Sequence, residues 1–517
     1  MPDTLLAIDN GTQSVRALLF DRSGNLLMKS QVKFDPVYHA AEPGYAEQSA
    51  DYYWECLVRA VRGLWMQGAR PADVVAVTLT TQRGTVVPVD RDGRAMRSAM
   101  LWLDQREAAR MPPLSLHWRT VFRALGATEA LENLCRQAEA NWLYEHEPST
   151  WRRMHKFLLL SGYLTHRLTG QFRDAVASQV GYVPFDFRRQ KWSRRFDWKW
   201  QAIRIEREHL PDLVPAGGEL GVISAEASAA TAIPQGLPLY AAGADKACEV
   251  LGSGCLDPRL GALSFGTTAT INTIRRDYVE VTPLLPPYPA PVPGHFCTEV
   301  QTLRGFWMVN WFREQFGADD VARARVENVP VEAVFERHLQ ATPAGNLGLM
   351  LQPYWSPGVR DPGREAKGAL IGFGDVHGRE HVYRAIIEGL MFALRHSKER
   401  IEKRANVRLR GLRVSGGGAQ SDGVVQIAAN VFGLPVERPH TTETSGLGAA
   451  ICAAVGMGLY PDFRTAVSAM TRISATVRPD YATQALYEQL FTRVYRPLYT
   501  QLQPLYREIR DITGYPR

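Results

Sequence analysis

The stretch Leu5–Asp21, LLAIDNGTQSVRALLFD, decides how the rest of the chain is read. Its apolar start, Leu5-Leu6-Ala7-Ile8, predicts a buried strand, Asp9-Asn10-Gly11 a turn, and Val15 to Phe20 a returning strand. The tip, Gly11-Thr12-Gln13-Ser14, has the composition of an anion cradle: glycine admits close backbone approach, successive N–H groups can point at a phosphate, and hydroxyls add donors. Asp9, at the end of the first strand, is placed to hold a hydrated Mg²⁺ against such phosphates. A polar turn in an ordinary hairpin has the same composition, so this stretch alone leaves both readings open. The pattern then returns: Gly261 to Phe265 reads as a strand, Gly266-Thr267-Thr268 as a tip, and Ala269 to Ile274 as a second strand. Two such units half a chain apart, with helical segments between them, predict two similar α/β domains facing each other across a cleft.

Composition agrees with a large soluble protein. At 517 residues the chain is too long for one core, and 45% hydrophobic with 22% charged residues is ordinary for a globular protein. A net charge of +7 suits anionic small ligands and makes no demand for nucleic acid. Six cysteines (Cys56, Cys135, Cys248, Cys255, Cys297 and Cys452) without a CxxC pair argue against a zinc site or disulfide framework and for a reducing cytoplasm. The start MPDTLLAIDNG lacks the charged and apolar regions of a signal peptide, and no apolar run is long enough to span a bilayer.

Outward from the opening hairpin, Leu26 to Val32 adds a strand, and Ser49 caps a helix carrying Tyr53, Leu57, Val61 and Leu64 on one face. Val74 to Leu79 predicts a buried strand running into Thr80-Thr81-Gln82-Arg83-Gly84-Thr85. Open α/β sheets place ligands at the carboxyl ends of such strands, which makes Gln82 and Arg83 candidates for a polyhydroxylated or anionic substrate. Arg83 as a plain loop tie fits equally. Trp102, near Asp104 and Gln105, suits the face of a sugar or a place in the core. From Glu129 to Leu168 the pattern is helical, with Phe157 to Leu160 as one buried turn. The basic-aromatic run Arg188–Lys199 reads as an amphipathic connector rather than a nucleic-acid strip, because no second such stretch supports it.

Leu237 to Ala244 predicts a strand presenting Asp245 at its tip, followed by Lys246. There Asp245 has the surroundings a general base needs, or those of an N-cap for the next helix. Further on, Trp307 and Trp311 lie one helical turn apart and read as core, Tyr354 to Gly358 as a loop, and His381 to Arg395 as an amphipathic helix. Ser415-Gly416-Gly417-Gly418, with a helix from Asp422 to Phe432, predicts a site for a nucleotide α-phosphate or ribose. Neither GxxxxGK[ST] nor GxGxxG is present. Tyr487 to Ile512 reads as a C-terminal helix.

Five of these segments, DNGTQSVRALLFD, AGADKACEVLGSG, LSFGTTATI, GALIGFGDVHGREHVYRAIIEGL and VSGGGAQSDGVVQIAANVFG, resemble in order and spacing the FGGY carbohydrate kinases, with EHEPSTWRRMHKFLLLSGYLTHRLTG like a further signature region. The resemblance covers essentially the whole chain. It implies two actin-like, ribonuclease-H-like ATPase lobes around a central cleft, here 1–256 and 257–517, in a cytoplasmic enzyme with no nucleic-acid or membrane partner, and it allows a homodimer. It implies ATP and Mg²⁺ as cofactors: Asp9 for the metal, Thr12, Gln13, Ser14 and Arg16 on one side of the phosphates, Gly266 and Thr267 on the other, and Gly417, Gly418 and Asp422 at the adenosine. It makes Asp245 the base that takes a proton from the substrate hydroxyl, with Gln82, Arg83, Trp102 and Lys246 meeting a sugar or polyol. The chain departs from the pattern at Gly84, where glycerol kinases place a glutamate, and at Lys246, where glutamine or asparagine is usual. Both departures favour a ketopentose or longer polyol over glycerol. A sugar acid or signalling molecule as substrate, and a non-enzymatic ATP-switched binding protein of the actin or chaperone type, are the alternatives.

Overall fold

The computed structural model describes residues 3–356, 358 and 362–515. The expected loop at 354–358 includes Pro357, which lies outside the described residues. The chain divides into two compact units: one of 1–254, 274–297 and 443–471, the other of 255–273, 298–442 and 472–517. Neither unit is continuous in sequence, so segments 274–297 and 443–471 pack with the opening half of the chain and not with their sequence neighbours.

The first unit is built on a six-stranded sheet. Its strands are β1 (Thr4–Asn10), β2 (Ser14–Phe20), β3 (Leu26–Lys33), β4 (Val74–Thr81), β5 (Glu219–Val222) and β6 (Pro238–Ala244), in the order β5-β6-β4-β1-β2-β3. β1 pairs antiparallel with β2 and parallel with β4, and β4 pairs parallel with β6. Every residue of β1 is buried, as befits a central strand covered on both faces. Helix Ala50–Met66 starts where the sequence places it: Ser49 caps it by accepting from the Tyr52 N–H, and Tyr53, Leu57, Val61 and Leu64 enter the core.

Helix Thr444–Gly456, from the 443–471 segment, crosses this sheet and packs on helix Asp245–Gly252. Its glycines are packing devices. A Cβ at Gly448 would stand 1.9 Å from the Cys248 carbonyl oxygen, and one at Gly252 would stand 1.9 Å from that of Thr444. At its ends, Gly446 presses on Leu18 of β2 and Gly456 on Tyr240 of β6.

The second unit repeats the sheet. β7 (Leu260–Phe265), β8 (Ala269–Arg275), β9 (Phe296–Thr302), β10 (Gly411–Ser415), β11 (Val436–Pro439) and β12 (Ile473–Val477) run in the order β9-β8-β7-β10-β11-β12, and the two-residue strand Tyr288–Pro289 adds a seventh, edge strand antiparallel to β9 through Phe296 and Cys297. As in the first unit, the founding strand pairs antiparallel with its hairpin mate and parallel with the next inner strand, here β7 with β8 and β10. Helix Arg379–Ala405 is longer than expected and is buried on all sides from His381 to Arg395 instead of along one stripe.

Three sequence readings are corrected. The helical pattern over 129–168 breaks into helices Thr128–Gln137, Glu139–His146, Pro148–Arg153 and Leu160–Thr169, and Lys156–Leu159 is a strand paired with Val86–Val89. Its apolar run Phe157-Leu158-Leu159 serves a buried strand as well as it would a helical turn, and pairing with Val86–Val89 decides for the strand. Trp307 and Trp311 are only half-buried: Met308 and Phe312 hold the core face of helix Trp307–Gln315, while the tryptophans pack on Trp355. The C-terminal helix is interrupted by a π-turn at Phe491–Tyr495. All six cysteines are buried free thiols, and no helix of the described residues is long and apolar enough to cross a membrane.

Gly448→Ala forces a methyl into the Cys248 carbonyl, and overpacking of this kind costs about 1–3 kcal/mol. Thermal or urea unfolding will show a lowered midpoint, and an unchanged midpoint would mean that the two helices can part without cost.

Candidate active site

The parallel strands β6, β4 and β1 lie side by side, so their carboxyl ends bring together Asp245, the Gln82-Arg83 pair and Asp9. Asp9 stands opposite Arg16 in the β1–β2 ladder and accepts from its Nη1 at 3.3 Å. The same Nη1 donates to Glu443 at 3.0 Å, and Lys29 Nζ donates to the other Glu443 oxygen at 2.6 Å. Burial pushes the Asp9 carboxyl up to about 7; Arg16 opposes the rise, and the charges of Asp245, Glu443 and Glu249 add to it. Nothing local in the sequence singles out Glu443, which meets its partners more than 400 positions away.

At the hairpin tip, Gly11 N–H donates to the Ser14 carbonyl and Phe34 N–H to that of Gln13. Gln13 is exposed and Thr12 half-buried, whereas Ser14 is buried with its hydroxyl accepting from Gln31 Nε2 at 2.9 Å. Trp102 is 42% exposed, and its indole Nε1 donates to Thr12 Oγ1 at 3.0 Å. The tryptophan is therefore not core; it is tied to the β1–β2 hairpin tip through Thr12.

Asp245 is the first residue of its helix, and Ala244 occupies the N-cap, so the N-cap reading does not hold. Its Oδ1 accepts from the Lys246 N–H at 2.7 Å. Burial raises the carboxyl above the usual range, while Arg83 and then Lys246 pull it back. Lys246 Nζ donates to Glu249 Oε2 at 2.7 Å, and Glu249 is only 7% exposed. The lysine thus enters the site as half of a charge-balanced pair.

The placement of Gln82 differs from its expected role. Its side chain is buried, with Nε2 donating to the Tyr53 hydroxyl at 3.3 Å, and its backbone N–H donates to Asn10. It faces helix 50–66 and fastens β4 to that helix. Both polar side-chain atoms of Asn10, with Gln82 Oε1 and Thr85 Oγ1, are buried without a protein partner, the condition that ordered water ordinarily relieves. Gly84 adopts φ +62°, and a Cβ there would sit 3.5 Å from Trp102 Cβ.

In the second unit, Gly266 and Thr267 form the β7–β8 tip, with Thr267 exposed. The tip is braced by Phe306 N–H, which donates to the Gly266 carbonyl at 3.0 Å. Gly416 turns the chain at φ +86° beside Phe265, Gly418 packs on the Phe306 ring, and a Cβ at Gly417 would meet nothing within 4 Å. Of the three glycines, Gly417 has the open face. The helix start behind them is less open than its sequence suggests. Gly423 N–H donates to Glu336 Oε1 at 2.7 Å and Val424 N–H to Ser421 Oγ at 3.0 Å, so these helix-terminal donors already have acceptors. Asp422 is exposed and accepts from Arg438 Nη1 at 2.6 Å, while Arg438 also braces the carbonyls of Ala419 and Ser421. Glu336 and Arg438 carry no local signal that sequence reasoning could have used.

No group of three or more His, Cys, Asp or Glu side chains among the described residues is arranged to hold a metal. Mg²⁺ does not require one, since it commonly takes one or two carboxylates together with water and substrate phosphates. Asp9, buried among other carboxylates and opposed by a single arginine contact, has the donor chemistry for that role.

Comparison with known proteins places this geometry. The model of the FGGY family of carbohydrate kinases, N-terminal domain, matches residues 4–252, and that of the C-terminal domain matches residues 261–457. The uncharacterised sugar kinase YgcE of Escherichia coli K12 is 29% identical over 500 residues, covering 96% of this chain and 93% of that protein. A xylulose kinase of Lactococcus lactis is 27% identical over 499 residues, covering 96% of each chain. The crystal structure of ligand-bound xylulose kinase from Lactobacillus acidophilus superposes with a TM-score of 0.80 at 20% identity over 99% of both chains, which shows a shared fold.

The burial of Asp9 has a measurable consequence. Because its folded value, about 7, lies above the ordinary 3.8, the folded chain retains a proton between those pH values that the unfolded chain has released, and stability falls as pH rises through that window. Asp9→Asn mimics the protonated carboxyl. In the nucleotide-free protein it raises the unfolding free energy above pH 7 by an amount on the order of a few kcal/mol, seen as a higher urea midpoint, and the gain vanishes near pH 4. Equal midpoints for the two proteins at pH 8 would show that the carboxylate is not strained by its burial.

Proposed function

We propose that this chain, which belongs to the FGGY family of carbohydrate kinases and is an ATP-dependent sugar or polyol kinase, phosphorylates a ketopentose or a longer polyol with Asp245 as general base. The observation that carries the reading is the meeting of Asp245, Arg83 and Asp9 at three adjacent strand ends. Family membership removes the non-enzymatic ATP-switch alternative.

Phosphoryl transfer asks a protein mainly for positioning, charge neutralisation and one base. In this reading the Asp245 carboxylate accepts the proton of the attacking hydroxyl, and Arg83 keeps that carboxylate ionised against its burial. Trp102 offers a half-exposed ring to the apolar face of the sugar. In the first unit Thr12, Gln13 and Arg16 serve phosphates; in the second, Gly266 and Thr267 serve phosphates and Gly417, Gly418 and Asp422 the adenosine. Ser14 and Gln82 support these groups from beneath. Asp9 would hold Mg²⁺, which when bound neutralises phosphate charge.

Two features support a neutral acceptor larger than glycerol. Gly84 leaves the space beside Trp102 without a side chain. Lys246 is matched by Glu249, so the pair offers a donor and an acceptor, as an amide does, without a net charge that would call for a sugar acid. The relative named xylulose kinase agrees with a ketopentose.

ADP release measured across ketopentoses, polyols and sugar acids tests the substrate; turnover with sugar acids alone would overturn the ketopentose reading. Asp245→Asn lowers kcat about 10²- to 10⁴-fold while leaving ATP affinity intact, the loss expected on removing a general base. Near-normal turnover in that variant would remove Asp245 from the chemistry.

A further inference from the structure

Segment 274–297 groups with the first unit, and within it Tyr288–Pro289 pairs antiparallel with Phe296–Cys297 as an edge strand. It lies against the substrate-type residues. Tyr288 is 5% exposed, and the Arg83 guanidinium stands 5.0 Å from its ring centroid. Three residues on, Pro291 abuts the strand that ends in Asp245: a Cβ at Gly243 would lie 3.3 Å from Pro291 Cβ, and the Cys452 thiol donates to the Pro291 carbonyl at 3.7 Å.

The segment is fastened at its outer end by the basic-aromatic connector whose purpose the sequence leaves open. Gln190 Nε2 donates to the His295 carbonyl at 2.7 Å, and its Oε1 accepts from the Gly294 N–H at 3.3 Å. Arg188 lies over the Tyr278 ring at 4.4 Å, and Tyr278 packs edge-on against Phe296 at 5.5 Å. The connector therefore clamps a strap whose inner end carries Tyr288.

A guanidinium is planar and carries its five donors around its edge. Standing 5.0 Å from an aromatic ring centroid, the Arg83 guanidinium gives up rotamers that would carry it away from the strand end. We propose that Tyr288 is a positioning residue for the phosphoryl acceptor, holding the Arg83 guanidinium so that its edge meets the substrate hydroxyls, with Gln190 and Arg188 anchoring the strap. This rests on Arg83 being a substrate-binding residue of the kinase. It gives the crossing strap a share in substrate recognition that neither its sequence nor its place in the chain indicates.

Steady-state kinetics on Tyr288→Leu, Tyr288→Phe and Arg83→Gln, and on the double variant Tyr288→Leu/Arg83→Gln, test it, with the acceptor that supports ADP release by the wild type. Tyr288→Leu raises the KM for the acceptor by roughly tenfold, the size of a partly desolvated cation–π contact, and leaves the KM for ATP unchanged. Tyr288→Phe, which keeps the ring, restores the wild-type value. In the Arg83→Gln background Tyr288→Leu adds nothing further. Gln190→Ala loosens the strap from its outer end without touching the core and raises the same KM in the same direction, so the test survives if Tyr288→Leu folds poorly. An unchanged acceptor KM in Tyr288→Leu or Gln190→Ala, an equal rise in both KM values, or multiplying effects of Tyr288→Leu and Arg83→Gln would overturn the role of Tyr288 while leaving the kinase reading in place. Wild-type protein that releases ADP at the same rate with and without every acceptor would overturn the kinase reading, and this inference with it.

Discussion

The close crossing of helices 245–252 and 444–456 is the constraint on which the first unit depends. Glycine in a helix interior costs about 0.5–1 kcal/mol relative to alanine, yet helix 444–456 carries Gly446 and Gly448 in its first turns. What the cost obtains is distance: at Gly448 and Gly252 the two backbones approach to where a methyl would overlap a carbonyl oxygen. The crossing fixes two helix starts at once. One begins with Asp245, at the end of β6; the other is preceded by Glu443, which holds Arg16 and Lys29. A side chain at either glycine would push Asp245 apart from Glu443 and the arginine that Glu443 holds.

The electrostatics of the site follow from that packing. Asp9, Asp245, Glu249 and Glu443 are drawn together, and burial raises the carboxyls of Asp9 and Asp245. Arg16 sits between Asp9 and Glu443, Lys246 is paired with Glu249, and Lys29 with Glu443. A buried charge is tolerated when it is paired and hydrogen-bonded. Asp9 has one arginine contact, at 3.3 Å, against the burial that raises its carboxyl, so a cation placed there would relieve strain.

Local pattern sufficed wherever the determinant is local. The two hairpins, the Ser49 cap, the strand leading to Gln82 and the glycine turn at 416 follow from alternation, turn residues and capping within a few positions. Tertiary determinants were not legible. Lys156–Leu159 is a strand because Val86–Val89 offers it a partner 70 residues earlier. The Gln82 side chain turns inward because Tyr53 supplies an acceptor there, and the helix start at Asp422 is closed because Glu336 takes the Gly423 N–H and Ser421 that of Val424. The return of 274–297 and 443–471 to the first unit is set by packing surfaces that no window of sequence contains.

The two units share a strand order but differ at each corresponding strand end, and the differences assign them different chemistry. Where β1 presents Asp9 before Asn10-Gly11-Thr12, β7 presents Ser264 before Phe265-Gly266-Thr267. The Gly-Thr tip is kept in both, while the carboxylate is replaced by a buried hydroxyl and an aromatic that stacks on Phe306. Where β4 runs into Gln82 and Arg83, β10 runs into Gly416 to Gly418, trading a cation for close backbone approach. Where β6 ends at Ala244 before Asp245, β11 ends at Pro439 before His440. Carboxylates able to bind a cation or accept a proton thus occupy these strand ends in the first unit, and backbone donors with small residues occupy them in the second. A duplicated scaffold can divide the work in this way because a parallel strand end fixes where a side chain stands but not what it is.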